Sequence, residues 1–192
     1  MKFVGLDAGS VSIKVVVLSA SGEKLLGHYK KHRGHPVETA LELLKETIGG
    51  EEAFIAVTGS AGRLIAGMLG IEPVNEIIAQ AFSTGKLFPH IKTIIEMGGD
   101  DSKLVLMEGQ TVKDFSMNSV CAAGTGSFLD QQAYRLGLTI EEFGSLALKS
   151  KHPPRVAGRC SVFAKSDMIH LQQIATPDYD IVAGLCYAVA RN

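Results

Sequence analysis

Gly5–Lys14 (GLDAGSVSIK) and Ile95–Lys103 (IEMGGDDSK) are two copies of one pattern of residue types. Each copy places a carboxylate and a glycine-containing turn between two short apolar runs, and a lysine opens the second run. When the copies are aligned, Asp7 corresponds to Glu96, Gly9 to Gly98, Ser12 to Asp101, and Lys14 to Lys103. The chain therefore contains an internal duplication.

Each copy predicts a β-hairpin, because a short apolar run bounded by turn residues is typical of a strand. A turn that offers small residues, backbone N–H groups, a carboxylate and a lysine suits a phosphate group and its Mg²⁺. Glycine and aspartate are also ordinary turn residues, so one copy alone would be a weak indication. Two such hairpins that face each other would bind a polyphosphate between them.

The remaining pattern predicts an α/β protein with two related halves. The predicted strands are Lys2–Leu6, Lys14–Leu18, Lys24–Tyr29, Phe54–Val57, Ile91–Glu96, Lys103–Met107 and Thr111–Phe115. Helices are predicted where apolar residues recur at helical spacing between start and stop signals. Three helices are predicted in the first part of this series: one from Pro36 to Gly49, one over Glu76–Leu87 and one over Phe128–Leu136. A fourth helix begins with a capping box of Thr139 and Glu142, a fifth follows Ser161, and a sixth is capped by Asp178.

The second half does not return to a closing strand, and the last predicted helix runs to the final residue. The duplication predicts a further strand, a further glycine-rich turn and a terminal helix. We therefore expect two domains, residues 1–90 and residues 91–192, with the second incomplete. We also expect the chain to be a fragment of a longer protein.

The composition is that of a globular protein, since 46% of the 192 residues are hydrophobic and 20% are charged. The net charge of -1 indicates neither a nucleic-acid partner nor an anionic membrane. No apolar run approaches the roughly 20 residues that span a bilayer, and no signal-peptide pattern is present. Three cysteines without close spacing argue against a disulfide-rich secreted protein, so a cytoplasmic location is expected.

Two of the three cysteines lie outside any apolar pattern. Cys186 belongs to the apolar stripe of the last predicted helix and is interpreted as a core residue. Cys121 and Cys160 each precede a helix, whose N-terminal partial positive charge stabilises an anionic thiolate or sulfide. The small residues around Cys121, among them Gly124 and Gly126, leave room for a bulky group and let backbone amides approach it.

Two chains related by a two-fold axis would supply four thiolates from Cys121 and Cys160. Such a set can hold a 4Fe-4S cluster shared across a homodimer. Two other interpretations stay open from the spacing, namely free thiols and a zinc site with the same four ligands. The six histidines contain no i, i+4 pair, which argues against a histidine metal site.

Four motifs in this order resemble the activator ATPases of 2-hydroxyacyl-CoA dehydratases: GLDAGS (5–10), EMGGDDSK (96–103), MNSVCAAGTGSFLD (117–130) and RCSVFAKSD (159–167). The same broad family includes the ATP-binding subunits of benzoyl-CoA reductases. The resemblance runs from Phe3 to the last residue. It implies an actin/Hsp70/sugar-kinase-like (ribonuclease H-like) fold, with ATP or ADP bound between duplicated α/β domains of which the second is truncated here.

The resemblance also implies an electron-transfer function. A homodimer would hold one 4Fe-4S cluster at its interface, with Cys121 and Cys160 of each chain as ligands. Reduced ferredoxin or flavodoxin would donate an electron, and ATP binding and hydrolysis would change the inter-helix geometry. The electron would then pass at very low potential to a partner dehydratase or reductase.

The resemblance assigns the nucleotide site to both turns. The residues concerned are Asp7, Gly9, Ser10 and Lys14 in the first turn, and Gly98, Gly99, Asp100, Asp101 and Lys103 in the second. Asp7 and Asp101 are the candidates for holding Mg²⁺ through water. Asp100 departs from the small dimeric activators, which usually carry glutamine there, so its role in positioning the attacking water stays open.

Two alternative functions fit the same turns. A sugar or carboxylate kinase of this fold would use both phosphate turns and have no use for Cys121 and Cys160. A non-catalytic, nucleotide-gated binding module would show ATP-dependent association without turnover. Thr58–Arg63 is interpreted either as a simple strand-to-helix turn or as a further loop on the phosphate side.

Overall fold

The computed structural model describes residues 2–118, 125–158 and 160–191. A four-stranded sheet contains β1 (Lys2–Ala8), β2 (Ser12–Leu18), β3 (Lys24–Lys31) and β4 (Ala53–Thr58), in the order β3-β2-β1-β4. Strand β1 runs antiparallel to β2 and parallel to β4. Asp7 thereby lies between Lys14 on one side and Thr58 on the other.

Alternating apolar residues give this sheet one buried face. Val4 and Leu6 on β1 pair with Val17 and Val15 on β2, and all four are at most 2% exposed. Burial of each such side chain stabilises the fold by about 1.5–3 kcal/mol. Helices α1 (Pro36–Ile48) and α2 (Gly62–Leu69) complete this core through Ala40, Leu43, Leu44, Ile65 and Ala66.

A three-stranded sheet contains β5 (Thr93–Met97), β6 (Ser102–Glu108) and β7 (Thr111–Asn118), in that order. The helix before it is α3 (Glu76–Leu87). Its N-cap is Asn75, whose side chain accepts the amide hydrogens of Ile77 and Ile78. Helix α3 packs through Ala81 in a small cluster with Val105 and Met107 of β6.

Four helices form a further core: α4 (Gly126–Arg135), α5 (Ile140–Ala147), α6 (Ser161–Gln173) and α7 (Asp178–Ala190). Each helix contributes at least one large buried side chain to this cluster, among them Phe128, Phe143, Met168 and Leu185. The capping box at the start of α5 is present, because Thr139 N donates to Glu142 Oε2 at 2.8 Å and Glu142 N donates to Thr139 Oγ1 at 3.2 Å.

The chain divides into two compact units. One comprises Met1–Ile94 and Val105–Asp114, and the other comprises Ile95–Leu104 and Phe115–Asn192. Each unit therefore contains one copy of the duplicated pattern.

The α/β prediction is confirmed, and each predicted strand is present with ends that differ by a few residues. Two features differ from the sequence-based expectations. Asp178 is the first residue of α7 rather than its cap, since Pro177 occupies the cap position without a side-chain cap bond. Helix α2 is not predicted, because it has only eight residues and two of them are glycines. Among the described residues, no helix has the length and apolar character needed to cross a bilayer.

Candidate functional site

The two predicted phosphate turns close in the same way. Gly9 N donates to Ser12 O at 3.0 Å, and Gly98 N donates to Asp101 O at 2.9 Å. These residues are the ones that the sequence duplication aligns. The duplication is therefore structural, because one backbone hydrogen bond recurs at aligned positions.

The first turn brings its predicted residues to one end of the β1–β2 hairpin. Asp7 and Lys14 pair across the strands, and Lys14 Nζ lies 2.9 Å from Asp7 Oδ2. The side chains are 42% exposed for Lys14 and 38% for Asp7, so solvent screens this ion pair and its contribution is about 1 kcal/mol or less. Gly9 and Ser10 lie between the two strands. An accessible ammonium beside a small-residue turn can receive an anion.

A loop at the end of β4 approaches Asp7 closely. Ala61 N donates to Ala8 O at 2.8 Å, which fixes this loop against β1. Gly59 has a φ of 93°, and a Cβ there would overlap Asp7 Oδ1 and the Ala8 backbone. Glycine is required on both grounds. The sequence does not single out Gly59, although the Thr58–Arg63 loop that contains it is a candidate for the phosphate side.

The second turn differs from the first in the burial of its lysine. Lys103 Nζ lies 3.0 Å from Glu96 Oε2 and 2.8 Å from Asp101 Oδ1, and the lysine side chain is 3% exposed. A charged group so deeply buried is tolerated because it is paired. Lys103 thus holds the two carboxylates of the turn, whereas Lys14 remains accessible. Asp100 is exposed in the same turn.

The start of α4 lies directly against the second turn. Gly126 N donates to Gly98 O at 2.8 Å, and the next amide donates to Gly99 O at 3.4 Å. A Cβ on Gly98 would lie 2.7 Å from Asp101 Oδ1, and a Cβ on Gly126 would lie 3.1 Å from Gly98 O. The close approach therefore requires small residues here. Gly124, the other glycine predicted to contact a cofactor, lies outside the described residues.

Cys160 occupies the N-cap position of α6 and is partly buried. It lies in the wall of a cavity of about 580 Å³ that is also lined by Arg155, Phe163, Asp167 and Arg191. A thiolate at the start of a helix is stabilised by the helix dipole. The setting of Cys160 therefore fits a thiolate ligand with room beside it for a bulky group.

Two side chains hold the segment that leads to Cys160. Ala157 N donates to Asp167 Oδ2 at 2.8 Å, and Arg191 Nη2 donates to Val156 O at 2.7 Å. Asp167 belongs to α6, and Arg191 directly follows α7. The backbone before Cys160 is therefore tied to the helix that this cysteine begins and to the end of a second helix.

Cys186 lies in a different environment. It packs against the α4–α7 core, and burial raises the pKa of its thiol. A raised pKa keeps a thiol protonated and unreactive near neutral pH, as expected for a core residue. Cys121 lies outside the described residues. Within the ranges that the structure describes, no cluster of three or more His, Cys, Asp and Glu side chains is arranged to bind a metal ion.

Residues 4–192 match the BadF/BadG/BcrA/BcrD ATPase family. The (R)-2-hydroxyglutaryl-CoA dehydratase activating ATPase of Acidaminococcus fermentans is 31% identical over 98% of this chain and 74% of its own length. A subunit of the benzoyl-CoA reductase of Thauera aromatica is 24% identical over 97% of this chain and 69% of its own length.

Solved structures of activators have the same fold as this chain. The activator of the 2-hydroxyisocaproyl-CoA dehydratase from Clostridium difficile, with bound ADPNP, superposes with a TM-score of 0.85 and 29% identity. The match covers 100% of this chain and 73% of that one.

Proposed function

The chain belongs to the BadF/BadG/BcrA/BcrD ATPase family, and we propose that it is an ATP-dependent activator of a 2-hydroxyacyl-CoA dehydratase or a related CoA-ester reductase. The observation that carries this proposal is the pair of turns with one closing hydrogen bond, Gly9 to Ser12 and Gly98 to Asp101. Phosphoryl transfer depends on positioning and on charge stabilisation. Each turn offers carboxylates for these purposes, and the first turn also offers the accessible lysine Lys14. The activities of the relatives named above support the class of partner.

The phosphate groups of ATP would bind at both turns. Lys14 is the accessible lysine of the two turns, and Ser10 would offer its backbone amide from the loop between β1 and β2. Asp7 and Asp101 would hold Mg²⁺ through water, because this ion prefers oxygen ligands and keeps several waters. Bound Mg²⁺ would neutralise charge on the phosphoryl oxygens. Asp100, exposed in the second turn, is the candidate for orienting the attacking water.

Cys121 and Cys160 would be the ligands of a 4Fe-4S cluster, and a second subunit would supply the other two thiolates. The position of Cys160 at the start of α6, beside a cavity, supports this assignment. When bound, such a cluster provides one-electron transfer. Reduced ferredoxin or flavodoxin would be the electron donor, and the partner dehydratase or reductase would be the acceptor.

Coupling between nucleotide and thiolates requires that ATP bind one conformation more tightly than another, since equal binding shifts no equilibrium. One backbone hydrogen bond within one unit of the chain supports such a coupling. Gly98 O in the second turn accepts the amide hydrogen of Gly126, five residues after Cys121 in the sequence. A phosphate bound at this turn would therefore act on the segment that carries Cys121 through a backbone contact.

The test is the iron and acid-labile sulfide content of anaerobically purified protein, measured with its visible spectrum, oligomeric mass and ATPase rate. We expect about two iron and two sulfide per chain of a dimer. Cys121→Ala and Cys160→Ala should each lose both, whereas Cys186→Ala, the matched control in the helical core, should retain them.

Other outcomes identify the alternatives. A colourless protein that resists reconstitution and phosphorylates a sugar or a carboxylate would be a kinase of the same fold. A colourless protein that associates with a partner only in the presence of ATP, without turnover, would be a nucleotide-gated binding module. Full iron in either cysteine variant would refute the ligand assignment.

A further inference from the structure

His32 lies beside the first turn and contacts it twice. Its backbone N donates to Val11 O at 3.1 Å, and its ring Nε2 lies 3.3 Å from Gly9 O. The other ring nitrogen, Nδ1, accepts the amide hydrogen of Gly34 at 3.1 Å. The residue is 9% exposed, so these contacts are largely shielded from water.

The partners of the ring determine its protonation form. A backbone amide only donates, so Nδ1 must present a lone pair to Gly34. A carbonyl oxygen only accepts, so Nε2 must carry the hydrogen that points to Gly9 O. The neutral ring with its hydrogen on Nε2 is the form that satisfies both contacts.

The backbone after His32 brings Gly34 back to the ring. Arg33 has a φ of 49° and Gly34 a φ of 90°, and His35 N closes the turn by donating to His32 O at 2.8 Å. A left-handed conformation is unfavourable for a residue with a Cβ and persists only where the surrounding contacts hold it. The hydrogen bond from Gly34 to the ring is one of those contacts.

The contact of His32 with Gly9 O also sets the direction of the Ser10 N–H. The described residues contain no cis peptide bond, and in a trans peptide the C=O and N–H groups point in opposite directions. Because His32 holds Gly9 O, the N–H of Ser10 in the same peptide points away from His32. Among the described residues no hydrogen-bond partner is found for this amide.

We propose that His32 is a positioning residue for phosphate binding at the first turn. Its Nε2–H fixes the Gly9–Ser10 peptide so that the Ser10 amide hydrogen points away from His32 before any ligand arrives, in the hairpin that also carries Lys14. The ligand class is the phosphate chain of a magnesium nucleotide, and this role depends on the proposed function. Without His32 the peptide can rotate, and one pre-oriented hydrogen bond to phosphate is lost, which corresponds to about a fivefold loss of affinity.

Two substitutions separate this role from a contribution to folding. His32→Gln places an amide N–H near the position of Nε2 and keeps the donor to Gly9 O, but it removes the acceptor for Gly34. His32→Asn places an oxygen near the position of Nδ1 and keeps that acceptor, but it removes the donor to Gly9 O. Each variant loses one ring contact, so the two should have similar midpoints of thermal unfolding.

The measurements are calorimetric titration with Mg-ADP and the ¹⁵N NMR spectrum of the wild-type imidazole. We expect His32→Gln to bind within about twofold of the wild type and His32→Asn about fivefold more weakly. The spectrum should show a hydrogen on Nε2 and none on Nδ1. Equal affinities of the two variants, or a hydrogen on Nδ1, would overturn the positioning role and leave the nucleotide site intact. A wild-type protein that does not bind Mg-ADP would instead refute the nucleotide site and, with it, this role.

Discussion

Lys103 Nζ lies 3.0 Å from Glu96 Oε2, and the lysine side chain is 3% exposed. The aligned pair of the first turn, Lys14 and Asp7, is 2.9 Å apart with a lysine that is 42% exposed. The lysine–carboxylate distance is thus nearly the same in the two copies, whereas the exposure of the lysine differs. Solvent screens the first pair much more than the second, so the two lysines should contribute unequally to stability.

Lys103→Met should therefore destabilise the protein more than Lys14→Met. Removing Lys103 leaves the carboxylates of Glu96 and Asp101 without their shared cation. Loss of one partner of a fully buried pair costs about 3–5 kcal/mol, and we expect about 2–4 kcal/mol here because the carboxylates keep 29% and 25% exposure. Lys14→Met should cost about 1 kcal/mol or less. Urea unfolding of both variants measures the difference, and equal losses would contradict the burial of Lys103.

Gly59→Ala should be more damaging than Gly22→Ala, although both glycines have a positive φ, 93° and 84°. A Cβ at Gly22 meets nothing within 4 Å, so this control reports only the backbone cost of roughly 1–2 kcal/mol. A Cβ at Gly59 also overlaps Asp7 and Ala8, which should add about 1–3 kcal/mol. The free energy of unfolding and the Mg-ADP affinity are measured. Only Gly59→Ala should weaken nucleotide binding, and an equal effect of Gly22→Ala would argue against a role for this loop.

Asp167→Ala should reduce the retention of iron under the proposed function. The substitution removes the acceptor of the Ala157 amide hydrogen, which fixes the segment before Cys160. Asp167→Asn keeps a side-chain oxygen at this position and should retain more iron. Iron content after gel filtration of anaerobic protein distinguishes the variants. Equal iron in both would show that this hydrogen bond does not support the cysteine.

The capping box of α5 should make stability depend on pH in acid. The backbone and hydroxyl of Thr139 lower the pKa of Glu142 from its ordinary value of 4.5. A lowered pKa in the folded state means that the contribution of Glu142 is fully present above about pH 4.5 and is lost as pH falls through the lowered pKa.

Glu142→Gln should remove this part of the pH dependence. Glu141→Gln, on the same turn but outside the capping box, is the matched control and should leave it unchanged. The free energy of urea unfolding measured from pH 3 to pH 7, roughly the range in which carboxylates titrate, tests the difference. A decrease of equal slope in the wild type and in Glu142→Gln would exclude the capping box as its source.

Much of the local structure is predictable because its causes lie within a few residues. Helix α3 has the predicted bounds, Glu76–Leu87, because its start at Asn75 and the proline after its end are local signals. The capping box depends on residues three apart. Helix α2 is not predicted, because two glycines weaken its local pattern. Packing of Ile65 and Ala66 in the core stabilises it instead.

The sequence by itself determined the duplication, the α/β class and the turns closed by Gly9 and Gly98, because periodicity and turn chemistry act over short distances along the chain. Only the tertiary structure decided how these turns are surrounded. Lys103 is buried and Lys14 is not. The loop after β4 leaves no room for a Cβ at Gly59 beside Asp7, and His32 contacts Gly9 O from 23 residues away in the sequence. Burial and approach between distant segments depend on how side chains pack after the sheet has formed, and no short stretch of sequence contains that information.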